Sequence, residues 1–319
     1  MRYLTQLKPA GTNSYRLSAS QLFDFGGNAQ NNSKGTMDIF EAPEGWSFAQ
    51  RDQSGAESLA VAYSCHPGRY RNLFVHGVKP HTYVALHLFL DKFRGNHPRS
   101  RYWLQDPKVL RTFEEWSHLN KVIKDSPFEY DIGKKTGHAS NYKMGPNTFR
   151  EFTLKESEGS LILDMAQAQY YLGTYKELFP EIVEWQNEIE ARVKRDRRLV
   201  NLLGFPRRFE RMFTDSYIRE IISWIPQSTV GCITHNAVEQ TCAHIIKHKL
   251  PWRLVSNKHD SYALLVPDNH IPEVREVMKR HINITLRGVD AEFTMASDFQ
   301  VGKNFKKFSK TNPQGMLEQ

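Results

Sequence analysis

From Trp46 the chain reads as an apolar, strand-like approach, Trp-Ser-Phe-Ala-Gln-Arg-Asp, that ends on the carboxylate of Asp52. A second carboxylate, Glu57, follows where a helix-like apolar run begins through Leu59, Ala60, Val61 and Ala62, and a loop comes next at His66-Pro67-Gly68. Another loop, Lys79-Pro80-His81-Thr82, opens a predicted amphipathic helix through Val84, Ala85, Leu88, Phe89 and Phe93. From there to about Trp185 the pattern is helical and highly charged, punctuated at Gly133, Gly145-Pro146 and Pro180. A long helix is predicted after Asp215, read as its cap, with Ile218, Ile221, Ile222 and Ile225 on one side and Arg219, Ser223 and Gln227 along another; Pro226 predicts a kink. Short apolar runs on either side of His259-Asp260-Ser261 predict a hairpin that presents Asp260 at its turn. An amphipathic segment from Ile271 to Ile282, a closing strand near Phe293 and a Lys-rich tail beyond Gly302, expected to be mobile, complete the chain.

With 319 residues the chain is long enough for one elaborate domain or two. Lys plus Arg number 43 against 35 Asp plus Glu, a formal charge of +8, which suits a polyanionic partner such as nucleic acid or nucleotide. Cys65, Cys232 and Cys242 form an odd set without C-x-x-C spacing, which argues against a disulfide framework or a structural zinc and for a reducing, cytoplasmic setting. The N-terminus lacks an apolar core of signal-peptide length, and no run approaches the roughly 18 apolar residues of a membrane span. His244 and His248 share a helix face but have no third metal ligand nearby in sequence, and a Walker-type phosphate loop is absent.

Several patterns can carry chemistry. Asp52 suits a metal-binding acid at a strand end, and equally a solvated turn or helix cap. Lys134, His138 and Tyr142 recur every four residues, which aligns a cation, an imidazole and a phenol on one helix face, fit for a triphosphate and a stacked base or simply solvated. Arg16 and the amides Asn28 to Asn31 stand in predicted loops, where they serve as turn formers or donate to minor-groove acceptors. Arg192, Lys194, Arg195, Arg197 and Arg198, followed by Phe205-Pro206-Arg207-Arg208-Phe209, interleave cations with aromatics, a pattern for phosphate contact or a wet helix face.

In order along the chain, these stretches resemble the polymerase portion of family A DNA polymerases, particularly phage-type members. Asp52-Gln53-Ser54-Gly55-Ala56-Glu57 is similar to the family's Asp-x-Ser-Gln-Ile-Glu, Lys134 to Tyr142 to its fingers-helix motif, and His259-Asp260 to its His-Asp-Glu. Gly11 to Ser18 resembles Thr-x-Thr-Gly-Arg-Leu-Ser, Asn28 to Asn31 resembles Asn-Leu-Gln-Asn, Pro226 to Thr229 resembles Pro-x-Gln-Gly-Thr, and Val301 to Phe305 resembles Val-Gly-x-Asn-Trp, so the likeness covers about residues 10 to 306.

The resemblance implies an α+β fold, an antiparallel palm sheet with an inserted, mostly helical fingers domain: palm 1–75, fingers 76–209, and palm again 210–319 with a basic C-terminal tail. It implies template-directed DNA synthesis in which Asp52 and Asp260 hold two Mg2+ ions, with primer-template DNA and dNTPs as partners. Lys134 would meet the triphosphate, His138 and Tyr142 border the base, and Glu57 crowd the sugar 2' position; Arg16, Gln30, Arg219, Gln227 and His259 would face the DNA, and His81 matches the His of the family's Asp-x-His.

The chain departs from the pattern in four places. Tyr130 stands where the family has an Arg four residues before the Lys, Lys143 where it has a Gly, Ser223 where it has an Asn, and Ser261 where it has a Glu. No stretch resembles the thumb or the 3'-5' exonuclease, which implies a split or truncated enzyme with a separate polypeptide carrying them; phage origin would imply a host cytoplasm. A single-subunit RNA polymerase-like enzyme is one alternative, which Glu57 with Tyr142 opposes, and a noncatalytic DNA-binding remnant is the other.

Overall fold

The computed structural model describes residues 6–8, 12, 14, 16, 18–20, 34–53, 55–94 and 120–319. Strands β1 (Gln6–Lys8) and β2 (Ser18–Ser20) pair with each other ahead of β3 (Trp46–Asp52). A helical layer follows: α1 (Ala56–Ser64), α2 (Arg69–Val75), α3 (Pro80–Leu88), α4 (Leu90–Arg94), α5 (Pro127–Asn141), α6 (Pro146–Glu156), α7 (Met165–Leu178) and α8 (Pro180–Asp196). After the short pair β4 (Arg198–Val200) and β5 (Pro206–Arg208) comes the long helix α9 (Asp215–His248). The chain then returns to sheet through β6 (Arg253–Asn257), β7 (Ser261–Pro267), α10 (Ile271–Ile282), the pair β8 (Ile284–Arg287) and β9 (Glu292–Met295), β10 (Asp298–Gly302) and β11 (Leu317–Glu318). No helix among the described residues is long and apolar enough to cross a membrane.

The class is α+β. Five strands in the order β11-β10-β3-β7-β6 make one sheet in which every pair is antiparallel. Side chains alternate across a strand, and this decides what the sheet shows to each side. Ala49, Tyr262, Leu264, Val266 and Phe299 enter one core with Val230, Ile233 and Ala237 of α9 and Val274, Val277 and Met278 of α10. Arg51 lies on that covered face, where it donates to the carbonyls of Ser297 (3.0 Å) and Arg275 (2.9 Å) and sits over the Phe299 ring. Asp52, one residue on, belongs to the other face, as does Phe48, whose ring stacks on Phe305 at 4.3 Å.

A second core fills the helical layer, where α3 is buried without a break from Thr82 to Leu86. The amphipathic helix predicted from Val84 to Phe93 is therefore a core helix, and it stops at Leu88 before α4 begins at Leu90. Gly133 does not punctuate a helix. It lies inside α5, where a Cβ would come within 2.4 Å of the His81 carbonyl oxygen and 2.8 Å of the Ala85 Cβ, so its missing side chain lets the first turns of α3 abut α5. Gly145 and Pro146 do start α6, and Pro180 starts α8, each proline occupying a position where its absent N–H costs nothing.

Two further expectations are corrected. The cap of α9 is Thr214, whose hydroxyl accepts from the Tyr217 N–H, and Asp215 is the first helical residue; the helix then runs unbroken through Pro226. The tail beyond Gly302 is folded. Lys303 binds both Asp268 carboxylate oxygens at 2.8 Å, Lys306 pairs with Asp38 at 2.7 Å, Asn304 and Asn312 exchange amide hydrogen bonds, and β11 pairs with β10. Its lysines have acids and strand partners to hold them, which composition does not reveal.

Candidate functional site

At one end of the sheet, strand register brings acids together. Asp52 lies opposite Ser261 on β7 and opposite Asp298 on β10, while Asp260 precedes Ser261 in the β6–β7 turn. The Gln53 N–H donates to the Asp260 carbonyl at 2.9 Å, tying the end of β3 to that turn. From below, Thr234 of α9 donates to the His259 carbonyl at 3.2 Å and accepts from the Gln53 side-chain amide at 2.7 Å. Both backbones that present the carboxylates are thus fixed by the same helix.

Electrostatics follows from this packing. Burial, then the charges of Asp260 and Asp298, push Asp52 up to about 6, with Lys258 and Lys307 opposing the rise. Among the described residues no three His, Cys, Asp or Glu side chains gather closely enough to hold a metal by themselves. Asp52 and Asp260 form a pair with unmet negative charge.

Beside the pair, Glu57 sits in the first turn of α1, where an acid is favoured by the helix dipole. One of its oxygens takes the Arg16 guanidinium and the other takes the Tyr142 hydroxyl. Tyr142 is the residue that ends α5, 6% exposed, and burial, then the Glu57 charge, holds its phenol well above the usual range. His138, one turn earlier, meets the Tyr142 ring edge-on at 5.0 Å and stacks on Phe152 at 5.6 Å; burial depresses its basicity. Lys134, another turn back, is exposed. The spacing of four therefore does form one line, and Glu57 joins that line to the sheet.

The remaining expected residues are more scattered. His259 stands in the turn beside Asp260, where partial desolvation and then Arg16 disfavour its protonation. Arg16 crosses α9 at Gly231, where a Cβ would stand 3.2 Å from the Arg16 Cγ. Arg219 and Gln227 are half-buried on α9 and make no hydrogen bond or ion pair with the carboxylate pair among the described residues. Gln30, with the rest of Asn28 to Asn31, lies outside the described residues.

Sequence reasoning missed one acid of the site. Asp298 meets Asp52 only through β10–β3 register, a pairing across 246 positions that no local pattern signals. His81, the expected loop histidine, stands half-buried in the first turn of α3, faces the Tyr130 ring at 5.8 Å and is pushed down to about 4 by desolvation and by Lys134, Lys79 and Lys124.

Fold and site together define an α+β chain whose antiparallel sheet offers a carboxylate pair to a helical layer lined with a carboxylate-bound phenol, an imidazole and cations. No protein-family model matches it, and no curated protein matches it in sequence. Among solved structures the fold is that of a DNA polymerase's polymerase domain: it is similar to the POL domain of Pol1 from M. smegmatis, solved in complex with DNA primer-template and dNTP, with a TM-score of 0.71 at 15% identity over 94% of this chain. The chain spans about half of that neighbour's length, 47%.

Proposed function

We propose that this chain catalyses template-directed DNA synthesis, joining a deoxynucleotide to a primer 3'-hydroxyl, in the manner of the family A enzymes that its motifs resemble. In this reading the palm comprises residues 1–75 and 210–319, and the fingers 76–209. The observation that carries the reading is the Asp52–Asp260 pair, held on the open face of the sheet within reach of the Glu57–Tyr142 link.

The carboxylates fit a divalent cation site because each raises the cost of charge on the other, a cost that bound cations remove. Two Mg2+ ions, when bound there, would supply activation of the attacking hydroxyl and charge stabilisation of the leaving pyrophosphate. Asp52 and Asp260 hold that charge in place. Glu57, fixed by Tyr142, fills the space beside the sugar and crowds a 2'-hydroxyl. His138 and Tyr142 border the base, and Lys134 meets the phosphates. Arg16, His259, Arg219, Gln227 and Gln30 serve the primer-template, Arg16 after exchanging Glu57 for a nucleic-acid acceptor.

Primer extension with magnesium tests this, by the chain alone and with an added polypeptide carrying a thumb and exonuclease. Extension by deoxynucleotides in preference to ribonucleotides is expected, with that preference reduced in Glu57→Ala. A chain that binds primer-template but extends it under neither condition would sink the catalytic reading.

A further inference from the structure

Three lysines act on His81, and two of them, Lys79 and Lys124, have no role assigned above. Lys79 caps the N-terminus of α3, Lys124 stands on the helical turn before α5, and Lys134 lies on α5 itself. Lys79 lies close enough to Lys124 to disfavour its charge. All three lysines are exposed, and none has a carboxylate within salt-bridge distance among the described residues. Asp125 and Glu318 act on Lys124 only from a distance. Like charges brought together, with no acid paired to them among the described residues, suit an anionic ligand.

The fold holds this cluster in position. Gly133 lets the first turn of α3 press against α5, which seats His81 beside Tyr130. Tyr130, one turn ahead of Lys134, contributes a ring and no charge. From Tyr142 to Lys134 the helix rises roughly 12 Å. A nucleotide whose sugar meets the Glu57–Tyr142 link would thus run its phosphates back along α5 toward the three lysines.

Resting on the polymerase reading, we propose that Lys79 and Lys124 complete, with Lys134, the binding site for the triphosphate of the incoming nucleotide, supplying at its distal end the positive charge that position 130 lacks. Neutral His81 lies among them as a further hydrogen-bonding group. The ligand class is a polyphosphate. Its two sources are a nucleoside triphosphate and the backbone of a nucleic acid, and the position on α5, in line with Tyr142, favours the first.

Calorimetric titration without metal separates these sources. The probes are inorganic tripolyphosphate, a deoxynucleoside triphosphate and a single-stranded oligonucleotide, each titrated into the wild-type chain, Lys79→Ala/Lys124→Ala and, as a control on the same turn, Lys121→Ala. The double variant is expected to bind both triphosphates about tenfold more weakly and the oligonucleotide less than about threefold more weakly, with Lys121→Ala near wild type. Adding Tyr130→Arg to the double variant is expected to restore most of the triphosphate affinity. Circular dichroism checks that each variant is folded. Unchanged triphosphate affinity in a folded double variant, no binding by the wild type, or an equal loss for the oligonucleotide overturns the proposal. The two readings fail separately: lysine-dependent tripolyphosphate binding by a chain that never extends a primer removes only the polymerase reading. Primer extension with an unaltered nucleotide KM in the double variant removes only this one.

Discussion

The acidic end of the sheet and the basic start of α3 are opposites in charge and alike in construction. Each holds like charges together without an ion-pair partner among the described residues: Asp52 with Asp260 and Asp298 in one, Lys79 with Lys124 in the other. The surface around them is built differently. Glu190 sits between Lys143 at 2.7 Å and Lys194 at 2.6 Å, and Glu220 takes both Arg207 and Arg211. In those groups each charge meets its opposite, so the two like-charged clusters stand out as places arranged for something else. The comparison teaches that unmet charge of fixed geometry is a better guide to a site than the total charge of the chain.

The strongest way to break the comparison is at the acids. Asp52→Asn or Asp260→Asn should lower primer extension by about 1,000-fold or more while leaving primer-template binding within a few-fold, measured by single-turnover extension and by equilibrium DNA binding. If both variants extend normally, the acids are a structural accident and only the lysine cluster keeps its meaning.

Next in size is the packing that positions the lysines. Gly133→Ala drives a methyl against the His81 carbonyl and the Ala85 Cβ, neither of which can swing aside as a flexible side-chain end could. A loss of about 2–4 kcal/mol in unfolding free energy is expected from chemical denaturation, with weaker triphosphate binding at permissive temperature. Gly137, one turn on, has only the Tyr175 ring at 3.8 Å from its Cβ position, and Gly137→Ala provides the tolerant control.

These residues also show how far the sequence can be read. The apolar approach to Asp52, the turn at Asp260 and the four-residue spacing of Lys134, His138 and Tyr142 are local patterns, and the structure has each in its expected element. Features created by pairing distant segments were not legible. Asp298 reaches Asp52 by strand register, Gly133 looked like punctuation because a close approach and a helix stop both select glycine, and α3 looked amphipathic because a helix buried all round still shows some helical period. The tail looked mobile because its lysines give no sign of Asp38 and Asp268, which lie far back in the chain.

A smaller effect distinguishes the acids from each other by pH. Asp52 has its folded pKa raised from 3.8 to about 6, so its charge costs the folded state stability above about pH 6, and the cost disappears as pH falls toward 4. Asp52→Asn should therefore be more stable than the wild type at pH 7 by about 1–3 kcal/mol, with the gain vanishing near pH 4. Thermal melts across that range check it. Magnesium should stabilise the wild type and not the variant, narrowing the gap from the other direction.

Glu190 should show the opposite trend at the smallest scale. Hydrogen bonds from Lys143, then Lys194, hold its carboxyl below the ordinary value of 4.5, so its contribution is present above pH 4.5 and is lost as pH falls through the lower folded value. Glu190 is half-buried, but its lysines are 37% and 52% exposed, so screening limits the contribution to about 0.5 kcal/mol. Lys143 adds a second consideration: it sits at φ 57°, a left-handed conformation that favours glycine, and the Glu190 contact helps hold it there. Glu190→Gln should thus be slightly less stable than the wild type at pH 7, equal to it in strong acid, and closer to it at 1 M salt. Measured beside Asp52→Asn, the two stability differences should have opposite signs at pH 7 and both shrink on acidification, because a paired acid gains from its charge and a crowded acid is penalised by it.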